Sequence, residues 1–204
     1  LTYYIIAIIY TSIFFIIIYK NNNEFVKRIR SKYRIGPHNK EIIEIIYGSL
    51  LGDSHAEYRN CGTRISFSQE SNHKNYLIWL HNKVSEIGYC NPSTPKIQSR
   101  LGNKGIIRYV LRFHTFTYSS FNWIHNKWYK DGIKKVPDNI EEFLSPLAIA
   151  IWTIDDGSRS GKSIKWCTNA FNYEDCMSLV NILYKKYNIK CSINSAGKKD
   201  QYVI

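Results

Sequence analysis

The sequence predicts an α+β protein built twice on one plan, each copy headed by a buried helix that ends in an acid. Three observations carry this. Residues 40–53 and 145–157 are apolar on nearly every side, which a helix tolerates only when it is buried all round. After each stretch the hydrophobic period changes from helical to two, the mark of half-buried strands. The order of features then recurs, with about a hundred residues between Asp53 and Asp156 and much the same between the helix ends near Gly88 and Asn188, as an internal duplication requires.

The composition narrows the partner. A net charge of +12 on 204 residues, with an aromatic fraction of 15%, fits a polyanion and points first to nucleic acid. The five cysteines include no C-x-x-C pair, which argues against a disulfide framework or a cysteine zinc site. His38, His55, His73, His81, His114 and His125 show no zincin spacing, and the tryptophan stripes read as core.

Residues 1–19 carry no charge and, at about 1.5 Å per residue, would just cross a hydrocarbon layer. They lack a basic n-region and a cleavage site. The segment is expected to be a membrane span or its remnant, foreign to the domain after it, and the only route to a membrane. A basic linker over 20–38 comes next, with Lys27, Arg28, Arg30, Lys32 and Arg34.

The first repeat is expected over 39–139. Asn39 is a plausible N-cap for the helix over 40–53. Gly48 and Gly52 lie on one face of it, and since each costs about 1 kcal/mol in a helix interior, close approach of a partner helix is the reason to keep them. Strands follow at 63–68, 96–100 and 107–114. Their polar face offers Arg64, Ser66, Ser68, Lys96, Gln98, Arg100, Arg108, Arg112 and His114, with no acid among these three strands. Such a ribbon suits a DNA major groove. Amphipathic helices are expected over 75–87 and 118–129, and a loop over 130–139.

The second repeat is expected over 140–204. Ser145 is the N-cap and Pro146 the first helical residue, and Ala148 and Ala150 are small enough for a backbone to come close. A loop over 158–161, a strand over 163–168 with Lys162 and Lys165 as candidate nucleic-acid contacts, a helix over 173–187 and a strand from about 190 complete it. Paired side by side, the two buried helices would bring Asp53 and Asp156 together about a pseudo-twofold axis within one monomer. Converging carboxylates stay ionised cheaply only around a cation. Hard oxygen ligands favour Mg²⁺, and a metal beside a basic sheet face suggests phosphodiester hydrolysis.

Residues 46–54 (IYGSLLGDS) and 149–157 (IAIWTIDDG) resemble the two motifs of a single-chain LAGLIDADG homing endonuclease, and the chain is similar to the fungal mitochondrial intron-encoded endonuclease/maturase branch. The resemblance implies a duplicated αββαββα fold whose two antiparallel sheets form a DNA-binding saddle. It implies Mg²⁺-dependent cleavage of both strands at a long site in an intron-less allele. The essential acids fall on Asp53 and Asp156, and the metal shell is expected to add backbone oxygens at Gly52 and Asp155. A basic residue before the second motif, matched by Lys135 with Lys134 as its neighbouring alternative, would organise the attacking water. The alternative function is an RNA maturase that assists its own group I intron without cleavage. The second copy is expected to lack the family's final helix. Residues 1–19 resemble in-frame upstream exon, which implies a mitochondrial location.

Overall fold

The computed structural model describes residues 29–102 and 105–204. The span expected at 1–19 and residues 20–28 of the linker lie outside the described residues, among which no helix is long and apolar enough to cross a membrane.

Two helices packed against each other organise the chain. Helix α1 (Lys40–Leu51) begins where Asn39 accepts the Glu41 N–H at 2.8 Å. From Ile42 to Leu51 every residue but Glu44 is buried. The helix stops two residues short of Asp53: Gly52 is the C-cap, and the Gly52 and Ser54 amides both return to the Ser49 carbonyl. Asp53 therefore sits in a turn beyond the helix.

Two strand pairs then build an antiparallel sheet, β1 (His55–Arg59), β2 (Gly62–Glu70), β3 (Gln98–Leu101) and β4 (Ile107–His114), in the order β1-β2-β4-β3. Alternation sorts its faces. Ile65 and Phe67 of β2 and Leu111 and Phe113 of β4 are buried, under helices α2 (Lys74–Glu86) and α3 (Asn122–Trp128). The register puts Ser66 opposite His114, Ser68 opposite Arg112 and Arg100 opposite Arg108. Arg64, Ser66, Ser68, Gln98, Arg100, Arg108, Arg112 and His114 thus share the other face.

That face also carries acids. Glu57 lies on β1 opposite Arg64, and Glu70 ends β2 and pairs with Arg108 at 2.9 Å. The expectation of an acid-free surface fails because β1, an alternating segment of only five residues, is a strand too, and because β2 runs on to Glu70. Lys96 is exposed ahead of β3 rather than in it.

The expected loop at 130–139 holds a small hairpin, β5 (Tyr129–Lys130) with β6 (Ile133–Lys134). Asp131 and Gly132 turn it, both with positive φ, the Asp-Gly geometry of a tight hairpin. A short α4 (Ile140–Phe143) leads to α5 (Pro146–Asp156), capped by the Ser145 hydroxyl on the Ala148 N–H at 3.2 Å. Burial around α5 is incomplete: Ala148, Ile151 and Trp152 are buried, whereas Ala150 is exposed and Ile154 is 47% exposed. Ala150 faces away from α1 because Gly48 meets Ala148 instead.

Beyond α5 the element order recurs. Strand β7 (Gly157–Ser160) replaces the expected loop and pairs with β8 (Ser163–Trp166). Helix α6 (Tyr173–Tyr187) is capped by Asn172 and stopped by Asn188 in the left-handed region. The last strand pair is β9 (Asn194–Ser195) with β10 (Tyr202–Val203), a few residues later than expected. The two hairpins join where the Trp166 and Ile204 amides exchange hydrogen bonds at 2.7 and 3.1 Å and Cys167 bridges Val203. The resulting order, β7-β8-β10-β9, repeats that of the first sheet. Lys162 is in the β7–β8 turn, and Lys165 is exposed opposite Ser158.

Candidate nucleic-acid cleavage site

The acids meet where α1 and α5 end. A Cβ on Gly48 would lie 2.5 Å from the Ala148 carbonyl oxygen and 2.8 Å from its Cα, and one on Gly52 would collide with the Asp155 side chain. These glycines permit the approach. Gln69 of β2 bridges the two motifs, its amide nitrogen donating to Asp53 Oδ2 at 2.9 Å and to Asp155 Oδ1 at 3.0 Å. Asp156, in the last turn of α5, is held through its carbonyl, which accepts the Cys167 N–H at 3.0 Å.

The lysine at the acids is Lys134. Its ammonium donates to the carbonyls of Gly52 (3.2 Å) and Ser54 (3.0 Å), on either side of Asp53. Its cross-strand partner Tyr129 accepts the Ala56 N–H through its hydroxyl at 3.2 Å. The hairpin thus grips both ends of the acid-bearing turn. Lys135 points elsewhere, toward Asp138 and Asp175, because neighbours in a strand face opposite ways. Gly52, expected to offer its carbonyl to a metal, already gives it to Lys134.

Charge is poorly compensated here. Burial, then the charges of Asp53 and Asp156, push the Asp155 carboxyl up to about 8; the nearby Tyr76 hydroxyl and the Asp53 amide only partly offset this. Burial and Asp53 raise Asp156 to about 6 against the pull of Lys134. Burial lowers Lys134 to about 8 although three aspartates favour its charge. Three crowded carboxylates and one reluctant ammonium are a donor set that suits a hard divalent cation. Among the described residues no three acid, histidine or cysteine side chains are grouped so as to hold a metal ion by themselves. An ion at these acids would therefore need most of its oxygens from water or a bound phosphate.

The acids open onto the polar sheet face through a cleft of about 690 Å³. Asp53 and Asp155 form its floor, with His55, Arg100, Arg108 and Arg112 among its walls. The spacing of the motifs does not reveal Gln69 or Tyr76. Gln69 left a signal nonetheless: it is the polar residue that continues the buried series Ile65, Phe67 at period two.

Two results are expected from this geometry. Lys134→Met lowers any cleavage rate about 100-fold, the lower range for a lost proton-handling group, while Lys135→Met leaves it within about twofold; single-turnover kinetics on the two variants separates them. The second concerns pH. The native state binds protons on Asp155 and Asp156 that an unfolded chain releases near pH 4, so stability falls as pH rises from there through about 6 and on to about 8. Melting in EDTA is expected to show this fall, and Asp155→Asn to reduce it; a flat profile would contradict the crowding of charge.

A family model described as the LAGLIDADG DNA endonuclease family matches residues 43–204. The chain is 49% identical over 179 residues to the cytochrome b mRNA maturase bI2 of Saccharomyces cerevisiae, covering 83% of this chain and 42% of that one. It is 47% identical over 168 residues to the protein of the same name from Debaryomyces hansenii, covering 81% and 64%. The chain therefore spans less than two thirds of either relative. The intron-encoded endonuclease ai4 of Dictyostelium discoideum is 34% identical over 123 residues, covering 57% of this chain and 76% of that one. Among solved structures, the homing endonuclease I-WcaI bound to its DNA recognition sequence superposes with a TM-score of 0.73 at 21% identity, over 91% of this chain and 85% of that one.

Proposed function

The chain belongs to the LAGLIDADG DNA endonuclease family, and from that premise we propose that it is an intron-encoded homing endonuclease cutting both strands of a long DNA site in an intron-less mitochondrial allele. The observation that carries the reading is the buried cluster of Asp53, Asp155, Asp156 and Lys134. Such a cluster costs stability, and binding alone gives no reason to keep it. Its two halves are proposed to be the repeats at 39–139 and 140–204.

In this reading Asp53 and Asp156 would hold Mg²⁺ from the two helix ends, with Asp155 beside them. The bound ion would acidify a water and neutralise charge on the phosphate. The protein's own part is positional. Gln69 holds Asp53 against Asp155, and the Tyr129–Lys134 hairpin fixes the turn that carries Asp53. Lys134 Nζ, its pKa lowered to about 8 by burial, takes the attacking water's proton in its deprotonated fraction and returns it to the leaving oxygen. Arg100, Arg108 and Arg112 draw the phosphate backbone over the cleft.

The names of the Saccharomyces and Debaryomyces relatives favour a second reading, in which the same basic face binds group I intron RNA and assists splicing. The deciding experiment offers the purified protein both substrates: duplex DNA from an intron-less cytochrome b gene with Mg²⁺ or EDTA, and the intron-bearing transcript. Mg²⁺-dependent double-strand cleavage supports the endonuclease. Splicing assistance with intact DNA overturns it. DNA binding is expected to weaken about 1,000-fold between about 50 and 200 mM salt, as for a surface that displaces several counterions.

A further inference from the structure

We propose that Glu57 is a specificity-determining positioning residue, which fixes the Arg59 and Arg64 guanidinium groups on the sheet face so that they select a guanine-bearing step in the DNA target. The inference rests on the DNA reading above and names which part of the face discriminates. Glu57 Oε2 accepts from Arg59 through Nη2 (2.6 Å) and Nε (3.1 Å) and from Arg64 through Nε (2.9 Å), and Arg64 Nη2 lies in ion-pair contact with it at 2.8 Å. Its other oxygen accepts from His55 Nε2 at 3.1 Å, and a carboxylate can only accept there. His55, Glu57 and Arg59 alternate along β1, and Arg64 is the cross-strand partner of Glu57. Both carboxylate oxygens are therefore occupied, by groups from two strands.

A carboxylate on a face that meets phosphates repels them, so its presence calls for a reason. Long side chains lose freedom when they bind, and one carboxylate locks two of them before the target arrives. Each guanidinium turns its Nε edge to Glu57 and, among the described residues, makes no hydrogen bond through Nη1. Arginine reads guanine O6 and N7 through a planar fork, and a fork held still reads one place. The Glu70–Arg108 pair at the far end of the sheet is different: it makes a single contact between side chains that are 55% and 59% exposed. It serves as an internal control.

The test is selection from a pool of randomised DNA duplexes in EDTA with the full chain, comparing wild type, Glu57→Gln and Glu70→Gln. Glu57→Gln is expected to lose about 10-fold discrimination at one or two adjacent base pairs, while its affinity for non-selected DNA stays level or rises, since a negative charge has gone. Glu70→Gln is expected to keep the wild-type preferences. Unchanged preferences in Glu57→Gln overturn the proposal. So does a parallel loss of selected and non-selected binding, the mark of a folding role, or the loss of a cytosine preference alone, which would make Glu57 itself the reader. Should wild type select no sequence, the DNA reading is what fails, and arginine side-chain NMR decides the positioning claim. Two slowly exchanging Nε–H signals, from Arg59 and Arg64, are expected in wild type and absent in Glu57→Gln; identical spectra overturn it.

Discussion

Asp53→Asn is expected to abolish double-strand cleavage, with a rate loss of about 1,000-fold or more, while leaving DNA affinity within a few-fold of wild type. The magnitude is that of removing one preorganised charge from a reacting centre. The substitution keeps the shape and can still meet the Gln69 amide, but it removes an anionic oxygen ligand from the set that suits a divalent ion. Binding should survive, because the proposed DNA contacts are the basic residues of the sheet face rather than the acids. Asp156→Asn is expected to act with similar severity. Gel assays for nicked and linear products, run beside filter binding, check both. A variant that still cuts at more than a tenth of the wild-type rate would remove Asp53 from the chemistry.

Gly48→Ala carries the largest expected cost in stability, about 2–3 kcal/mol, or a fall in Tm of roughly 6–10 °C for a chain of this size. The added Cβ would lie 2.5 Å from a carbonyl oxygen and 3.0 Å from a carbonyl carbon of Ala148. These are backbone atoms of a packed helix, so no side chain can swing aside. The gain of about 1 kcal/mol that alanine brings to a helix offsets part of the clash and is included in the estimate. Separating α1 from α5 also spreads Asp53 from Asp156, so cleavage should fall about 100-fold even below the melting range, as misplaced reacting groups do. Ala150→Leu, on the exposed side of α5, is the control and is expected to stay within about 0.5 kcal/mol. Calorimetry on the pair distinguishes a close helix crossing from a general intolerance of bulk.

How much of this was legible depended on whether a feature was encoded locally. The paired helices, their caps at Asn39 and Ser145, and the acids at their ends all derive from residues within one turn of one another. The polar series on β2 and β4 was readable from alternation alone. Strand β7 was not, because a short polar segment at a sheet edge lacks a buried face to impose a period, and β1, though it alternates, is only five residues long. Lys134 and Lys135 could not be separated without knowing that an Asp-Gly turn makes a hairpin there, since strand pairing is what decides which neighbour faces the acids. Tyr76 joins the site only through the packing of α2 against the sheet. A helix position of ordinary amphipathic spacing gives no hint of it.

The hairpin of β5 and β6 has a consequence for anyone who would recombine such proteins. It lies at the end of the proposed first copy, and Tyr129 and Lys134 both fasten back onto the Gly52–Ala56 segment. The halves are therefore not interchangeable parts with a neutral joint. A chimera spliced just after Trp128 would give the first half a foreign clasp around its own acid, and one spliced beyond Val136 would carry the native clasp with it. Activity among such hybrids should track the position of that seam more closely than the overall similarity of the parents.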